Sequence, residues 1–190
     1  MDKIYVHGRI PLRGQLTVQG SKNAVLPILA ATLLTEETCV IHNCPKILDA
    51  MQMQTLLLRL GCKLCWQSGG LKISGARIKE GNLLFTEVGK MRCSVLFLGA
   101  LLGAVGKVQL PYPGGCVIGK RPIDIHIDAL RKLGAQIYCE DDKVIAQTDC
   151  LVGNDISLPF PSVGATENLL LAVKEGSASA WHLISSDSYV

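Results

Sequence analysis

The chain repeats itself. The segment LLLRLGCKL, 56–64, returns as DALRKLGAQI, 128–137, and the glycine that closes each one comes back 73 residues later, as Gly61 and then Gly134. Around each copy lies the same order: a strand, a nearly all-apolar helix, a strand, a more amphipathic helix and two strands. Long-period self-similarity means supersecondary units that bury their faces on one another. A helix apolar on most sides belongs inside. The repeat therefore predicts an α/β fold, an inside-out α/β barrel with buried helices, surrounding sheets and outer helices about a pseudo-threefold axis, incomplete in this chain.

The first unit reads as a helix over Ala24–Leu34, with Pro27 tolerated in its first turn. A strand follows over Cys39–Asn43, then a helix from Leu48 to Leu60, then strands Lys63–Gln67 and Leu71–Ser74. The second unit reads as a strand Leu83–Thr86, a helix Ser94–Ala104, a strand Lys107–Tyr112, a helix Ile123–Leu133, and strands Gln136–Glu140 and Val144–Thr148. A third begins at Ile156–Leu158 and Ser162–Thr166, runs apolar to Val173, and then loses the pattern. Ahead of the repeats, Ile4–Val6 and Gln15–Val18 read as two short strands about a Pro11–Gly14 turn.

The units differ in one place. Gly61 follows Pro45 by 16 positions, whereas Gly134 follows Pro113 by 21, and the surplus falls on Gly114–Lys120 around Cys116. Insertions into one copy of a repeat tend to lie on its working face. This loop holds a thiol beside Lys120 and Arg121, and neighbouring positive charge favours the reactive thiolate. Helix starts present unpaired N–H groups that attract anions. Ser21-Lys22-Asn23, Gly89-Lys90-Met91-Arg92 and Val163-Gly164-Ala165-Thr166 occupy equivalent starts, two of them basic. Together they point to a phosphate or carboxylate ligand.

Composition limits the alternatives. Apolar residues are 48% and charged residues 18%, a globular balance. The net charge of +3 is spread along the chain, without the basic run expected of a nucleic-acid surface. The longest apolar stretch, Cys93–Val105, has 13 residues, too short to span a bilayer. Eight cysteines and no secretory leader read as reduced thiols of a cytoplasmic protein. Cys62 and Cys65 form a CxxC, but the alternation around them reads as strand and no second ligand pair completes a metal site.

The segments GSKNAVLPILAA (20–31), GKMRCS (89–94), PGGCVIGKRPIDIH (113–126), LRKLGA (130–135) and PSVGATEN (161–168) resemble the enolpyruvyl transferases from Met1 to about Val173. Within that family the branch acting on UDP-N-acetylglucosamine is the closer match, on its GGC loop and KMR segment. The branch acting on 3-phosphoshikimate is the runner-up. The resemblance implies transfer of the enolpyruvyl group of phosphoenolpyruvate to the 3-hydroxyl of UDP-N-acetylglucosamine with release of phosphate. It implies Cys116 as proton donor and site of a covalent adduct. It implies Lys22, Asn23, Arg92 and Arg121 on phosphoenolpyruvate. The UDP-sugar would meet Asn23, Arg92, Arg121, Pro122, Ile123, Asp124, Ile125 and His126, with Ser162, Val163 and Gly164 as a second contact. No metal or cofactor is implied, nor any nucleic-acid or membrane partner.

The family places its active site between two three-unit domains, and its sugar-activating aspartate belongs to the second. The resemblance therefore divides this chain into 1–21, strands that pair with the second domain; 22–173, the enolpyruvyl transferase domain with its third unit cut short; and 174–190, a divergent tail of a truncated or frameshifted copy. Weak or absent turnover by the chain alone is expected, and the candidate partner beyond the substrates is a complementary C-terminal half. The reading from a different class is a non-catalytic nucleotide-sugar-binding fragment or regulatory module.

Overall fold

The computed structural model describes residues 3–9, 11, 13–75, 77–89, 91–114, 123–173 and 184–185. The two complete units fold alike. In the first, α1 (Lys22–Ala31) continues as a 3₁₀ turn over Thr32–Leu34, followed by β1 (Thr38–Ile41), α2 (Leu48–Arg59), β2 (Lys63–Gln67) and β3 (Gly70–Ser74). In the second, a short helical turn α3 (Thr86–Gly89) and a 3₁₀ turn (Arg92–Val95) lead into α4 (Leu96–Val105). Then come β4 (Lys107–Pro111), α5 (Asp124–Lys132), β5 (Gln136–Glu140) and β6 (Lys143–Gln147). Each unit makes a three-stranded antiparallel sheet of the same order, β1-β3-β2 and β4-β6-β5.

The punctuation is the chemistry of the turns. Gly61 and Gly134 close α2 and α5 with φ of +95° and +92°, a backbone region that a side chain makes costly. Asp141 and Asp142 both have positive φ, as a tight hairpin between β5 and β6 requires.

The core is helical. Leu96 to Leu102 of α4 are all buried, and α4 packs on α1 and on α6 (Val163–Ala172), which also touch each other. Gly99 and Gly103, one turn apart, let α4 and α6 approach closely. A Cβ at Gly99 would stand 2.1 Å from the Asn168 carbonyl, and one at Gly103 2.7 Å from that of Leu171. The outer helix α5 buries His126, Ile127, Ala129 and Leu130, one stripe, and leaves Asp124 and Asp128 in solvent. Each fully buried leucine here contributes about 1.5–3 kcal/mol.

Three expectations need correction. No strand forms among the described residues ahead of α1: Ile4, Tyr5, Val6, Leu16 and Val18 are all exposed. A strand exists only through its hydrogen-bonded neighbour, and none of the described strands pairs with these segments. The strand expected at Leu83–Thr86 shrinks to a single parallel bridge, Asn82 to Gln109, because the chain turns into α3. Finally, α1 begins two residues early, so Pro27 lies in its second turn and the Asn23 carbonyl loses its helical donor.

One pairing had no signal in the sequence. β7 (Ile156–Ser157) pairs in parallel with β8 (Ile184–Ser185), across α6. Asn82 and Gln109 bridge in the same sense across α4. A two-residue strand is too short for a period-two pattern to reveal.

Candidate functional site

The three helical starts named above are linked through the 3₁₀ turn at Arg92. Lys22 opens α1, and its ammonium pairs with the carboxylate of Asp49 in the first turn of α2. An acidic residue there also suits the helix dipole. The hydrogen bond from Lys22 to Asp49 raises the lysine pKa above its ordinary value and keeps it charged. Asn23 follows Lys22 and is exposed.

Cys93 feels the same pair. Burial pushes its thiol up to about 11, the Asp49 charge adds to that, and Lys22 opposes it. The thiol next to Arg92 is therefore protonated at neutral pH.

On the other side of the turn stands His126, 6% exposed. Burial lowers its pKa to about 4, helped by the positive charge of Arg92. Its Nδ1 lies 2.9 Å from Nδ2 of Asn168, a fully buried residue of α6. Asn168 also donates to the Val95 carbonyl at 2.8 Å and accepts from the Gly99 N–H at 2.7 Å. The imidazole edge rests against Gly164: a Cβ there would lie 3.2 Å from Cε1 and 3.6 Å from Nε2. Ser162 caps α6, its hydroxyl accepting from the Ala165 N–H at 3.4 Å. The N–H groups of Val163 and Gly164 have no acceptor within the helix.

Cys116, Arg121 and Pro122 lie outside the described residues. The ends of their loop are placed. The Gly114 N–H donates to the Gly89 carbonyl at 2.8 Å, three residues before Arg92. Ile123, at the far end, is fully buried. Its side chain is committed to the core, so only its backbone can meet a ligand. Asp124 is exposed and Ile125 half-buried.

Lys22, Arg92, His126 and Gly164 thus meet through shared neighbours although they span most of the sequence. The arrangement gathers two cations, a neutral imidazole and a helix start, which suits a ligand carrying anionic and carbonyl oxygens. Among the described residues, no three of His, Cys, Asp and Glu gather to hold a metal ion. Sequence reasoning passed over Asp49, Cys93 and Asn168. Asn168 was the findable one: it interrupts the apolar stripe of Ala165, Leu169 and Ala172.

The model of the family described as EPSP synthase (3-phosphoshikimate 1-carboxyvinyltransferase) matches residues 6–189. The chain belongs to this family. Within the family, it is 46% identical over 173 residues to the UDP-N-acetylglucosamine 1-carboxyvinyltransferase of Coprothermobacter proteolyticus, covering 90% of this chain and 40% of the relative. It is 42% identical over 172 residues to the protein of the same name in Lawsonia intracellularis, covering 90% and 41%. Those names agree with the resemblance read from the motifs. The chain thus spans about two fifths of the length of the curated relatives it matches.

Solved structures of the family share the fold. The enolpyruvyl transferase NikO from Streptomyces tendae superposes with a TM-score of 0.69 at 19% identity, over 85% of this chain and 38% of that one. EPSP synthase from Acinetobacter baumannii gives 0.61 at 21% identity, over 84% and 37%.

Proposed function

We propose that this chain is the N-terminal part of an enzyme that transfers the enolpyruvyl group of phosphoenolpyruvate to the 3-hydroxyl of UDP-N-acetylglucosamine, releasing phosphate. This would be the first committed step of peptidoglycan synthesis, carried out in the cytoplasm. The observation that carries the reading is the junction at Arg92. Its charge reaches His126, whose ring packs on Gly164, so the basic start of one unit adjoins the first turns of α5 and α6. The names of the curated relatives supply the substrates.

The chemistry follows from the groups. Protonation of the methylene carbon of phosphoenolpyruvate makes its neighbouring carbon electrophilic. The sugar hydroxyl adds there and loses its proton. Removal of a methyl proton and departure of phosphate then restore the enol ether. Cys116 supplies the first proton and forms a covalent adduct with phosphoenolpyruvate. Lys22, Arg92 and Arg121 hold the phosphate and carboxylate charge, arginine by paired hydrogen bonds and lysine as a point charge. Asn23 adds a polar contact between the two substrates. Arg121, Pro122, Ile123, Asp124, Ile125 and His126 line the UDP moiety, and Ser162, Val163 and Gly164 meet it from α6.

α1, α4 and α6 would form the inner core of an inside-out barrel with the two equivalent sheets outside. Segment 1–21 and the interdomain face would meet a complementary C-terminal half. No helix among the described residues is long and apolar enough to cross a membrane.

Calorimetric titration tests the substrate class. The reading expects UDP-N-acetylglucosamine to bind and 3-phosphoshikimate not to; the reverse would transfer the chain to the shikimate branch. Phosphate release with both substrates, on adding a C-terminal half from a relative, would separate an enzyme part from a binding module.

A further inference from the structure

We propose that Asn168 is a positioning residue that locks His126 as a neutral imidazole with its proton on Nε2, a fixed hydrogen-bond donor to a uridine nucleotide at the first turn of α6. The identity of the ligand rests on the functional reading above; the tautomer does not.

The amide of Asn168 can sit only one way round. Its oxygen faces the Gly99 N–H, which can only donate, and its nitrogen faces the Val95 carbonyl, which can only accept. A flipped amide would set donor against donor and acceptor against acceptor. The NH₂ group therefore has one proton on Val95 and the other aimed at Nδ1 of His126, 2.9 Å away. Nδ1 must offer a lone pair. A neutral ring then carries its proton on Nε2.

The surroundings hold the ring in that state. Asn168 is fully buried, so water does not compete for the amide. Arg92 supplies a positive charge that opposes a second proton on the ring. Gly164 leaves room for the Cε1–Nε2 edge beside the start of α6, where any larger residue would press on it. The Nε2 proton therefore lies by the turn whose Val163 and Gly164 N–H groups have no helical acceptor. Two backbone donors on that turn and the imidazole N–H of α5 beside it suit the oxygens of a uracil or a diphosphate. The lock is also long-range: Asn168 is 42 positions from His126 and 73 from Val95, so it joins the second and third units at one amide.

Long-range ¹H–¹⁵N spectra of the full chain, labelled on histidine, read the tautomer directly. The expected result at neutral pH is a protonated Nε2 and a bare Nδ1 for His126. Asn168→Asp presents an oxygen that only accepts; it should move the proton to Nδ1 and weaken UDP-N-acetylglucosamine binding about tenfold. A protonated Nδ1 in the unaltered chain overturns the lock, and so does a folded Asn168→Asp with tautomer and affinity unchanged. Should that variant not fold, titration of the unaltered chain decides the donor role. The His126 Nε2 proton signal should move on saturation with UDP-N-acetylglucosamine, and a signal that stays in place while ligand binds overturns it. No binding at all would overturn the functional reading and the donor role with it, while the tautomer is still read from the free chain.

Discussion

The backbone N–H of Gly99 donates to the side-chain oxygen of Asn168 at 2.7 Å, joining α4 to α6 where the two helices come closest. That contact leaves no space for a methyl group. In Gly99→Ala the new Cβ would stand 2.1 Å from the Asn168 carbonyl oxygen and 2.5 Å from its Oδ1. Neither atom is a flexible chain end. The variant should lose about 3 kcal/mol of stability, at the upper end of the usual cost of overpacking a core. Urea unfolding checks it; an unchanged midpoint would mean that the helices do not approach as described.

Asn168→Ala removes the other side of the same contact. It deprives the Gly99 N–H, the Val95 carbonyl and His126 Nδ1 of their partner in a buried site. Unsatisfied buried groups cost more than the net worth of a hydrogen bond, so the expected loss is about 2–4 kcal/mol. The same unfolding experiment reads it, and a loss below about 1 kcal/mol would argue against a satisfied, buried amide.

Acid should destabilise the fold through His126. Its folded pKa of about 4 lies below the ordinary 6.5, so between those values the unfolded chain binds the extra proton. Stability is then intact above about pH 6.5, falls as the pH drops, and reaches its full loss near pH 4. The shift corresponds to about 3 kcal/mol. Unfolding midpoints of the unaltered chain and of His126→Gln across this window measure the difference. Curves that stay parallel would show that His126 titrates normally.

Cys93 should be slow to alkylate. A thiol pushed to about 11 is some hundredfold less ionised at pH 8 than one at the ordinary value, and thiolate is the reacting form. Asp49 helps raise that value, so Asp49→Asn should quicken the reaction of Cys93 with iodoacetamide. Peptide mass spectrometry after a short exposure reads each cysteine separately. No change in Asp49→Asn would show that the carboxylate does not act on the thiol.

Much of this architecture is written locally. The two units are legible because helix-closing glycines and alternating strands are short-range signals: β2 falls on Lys63–Gln67 and β5 on Gln136–Glu140, as the alternation predicts. The inner helices are legible because a segment such as Leu96–Leu102 has no polar face to turn outward. The basic starts at Lys22 and Arg92 could be read from position alone. Their partners could not. Asp49 pairs with Lys22 across 27 positions, and Asn168 reaches His126 and Gly99 from another unit. Such contacts depend on how helices dock, which no local pattern encodes. The strands expected at Ile4–Val6 and Gln15–Val18 fail for a related reason: the alternation is present, but no strand among the described residues pairs with it.

The most direct test of the account is the mass of the intact chain after incubation with phosphoenolpyruvate and UDP-N-acetylglucosamine, with peptide mapping of any adduct. The account predicts a phosphoenolpyruvate-dependent mass gain on Cys116 that is absent from Cys116→Ser. A chain that stays unmodified, or a gain that persists in Cys116→Ser, would contradict it.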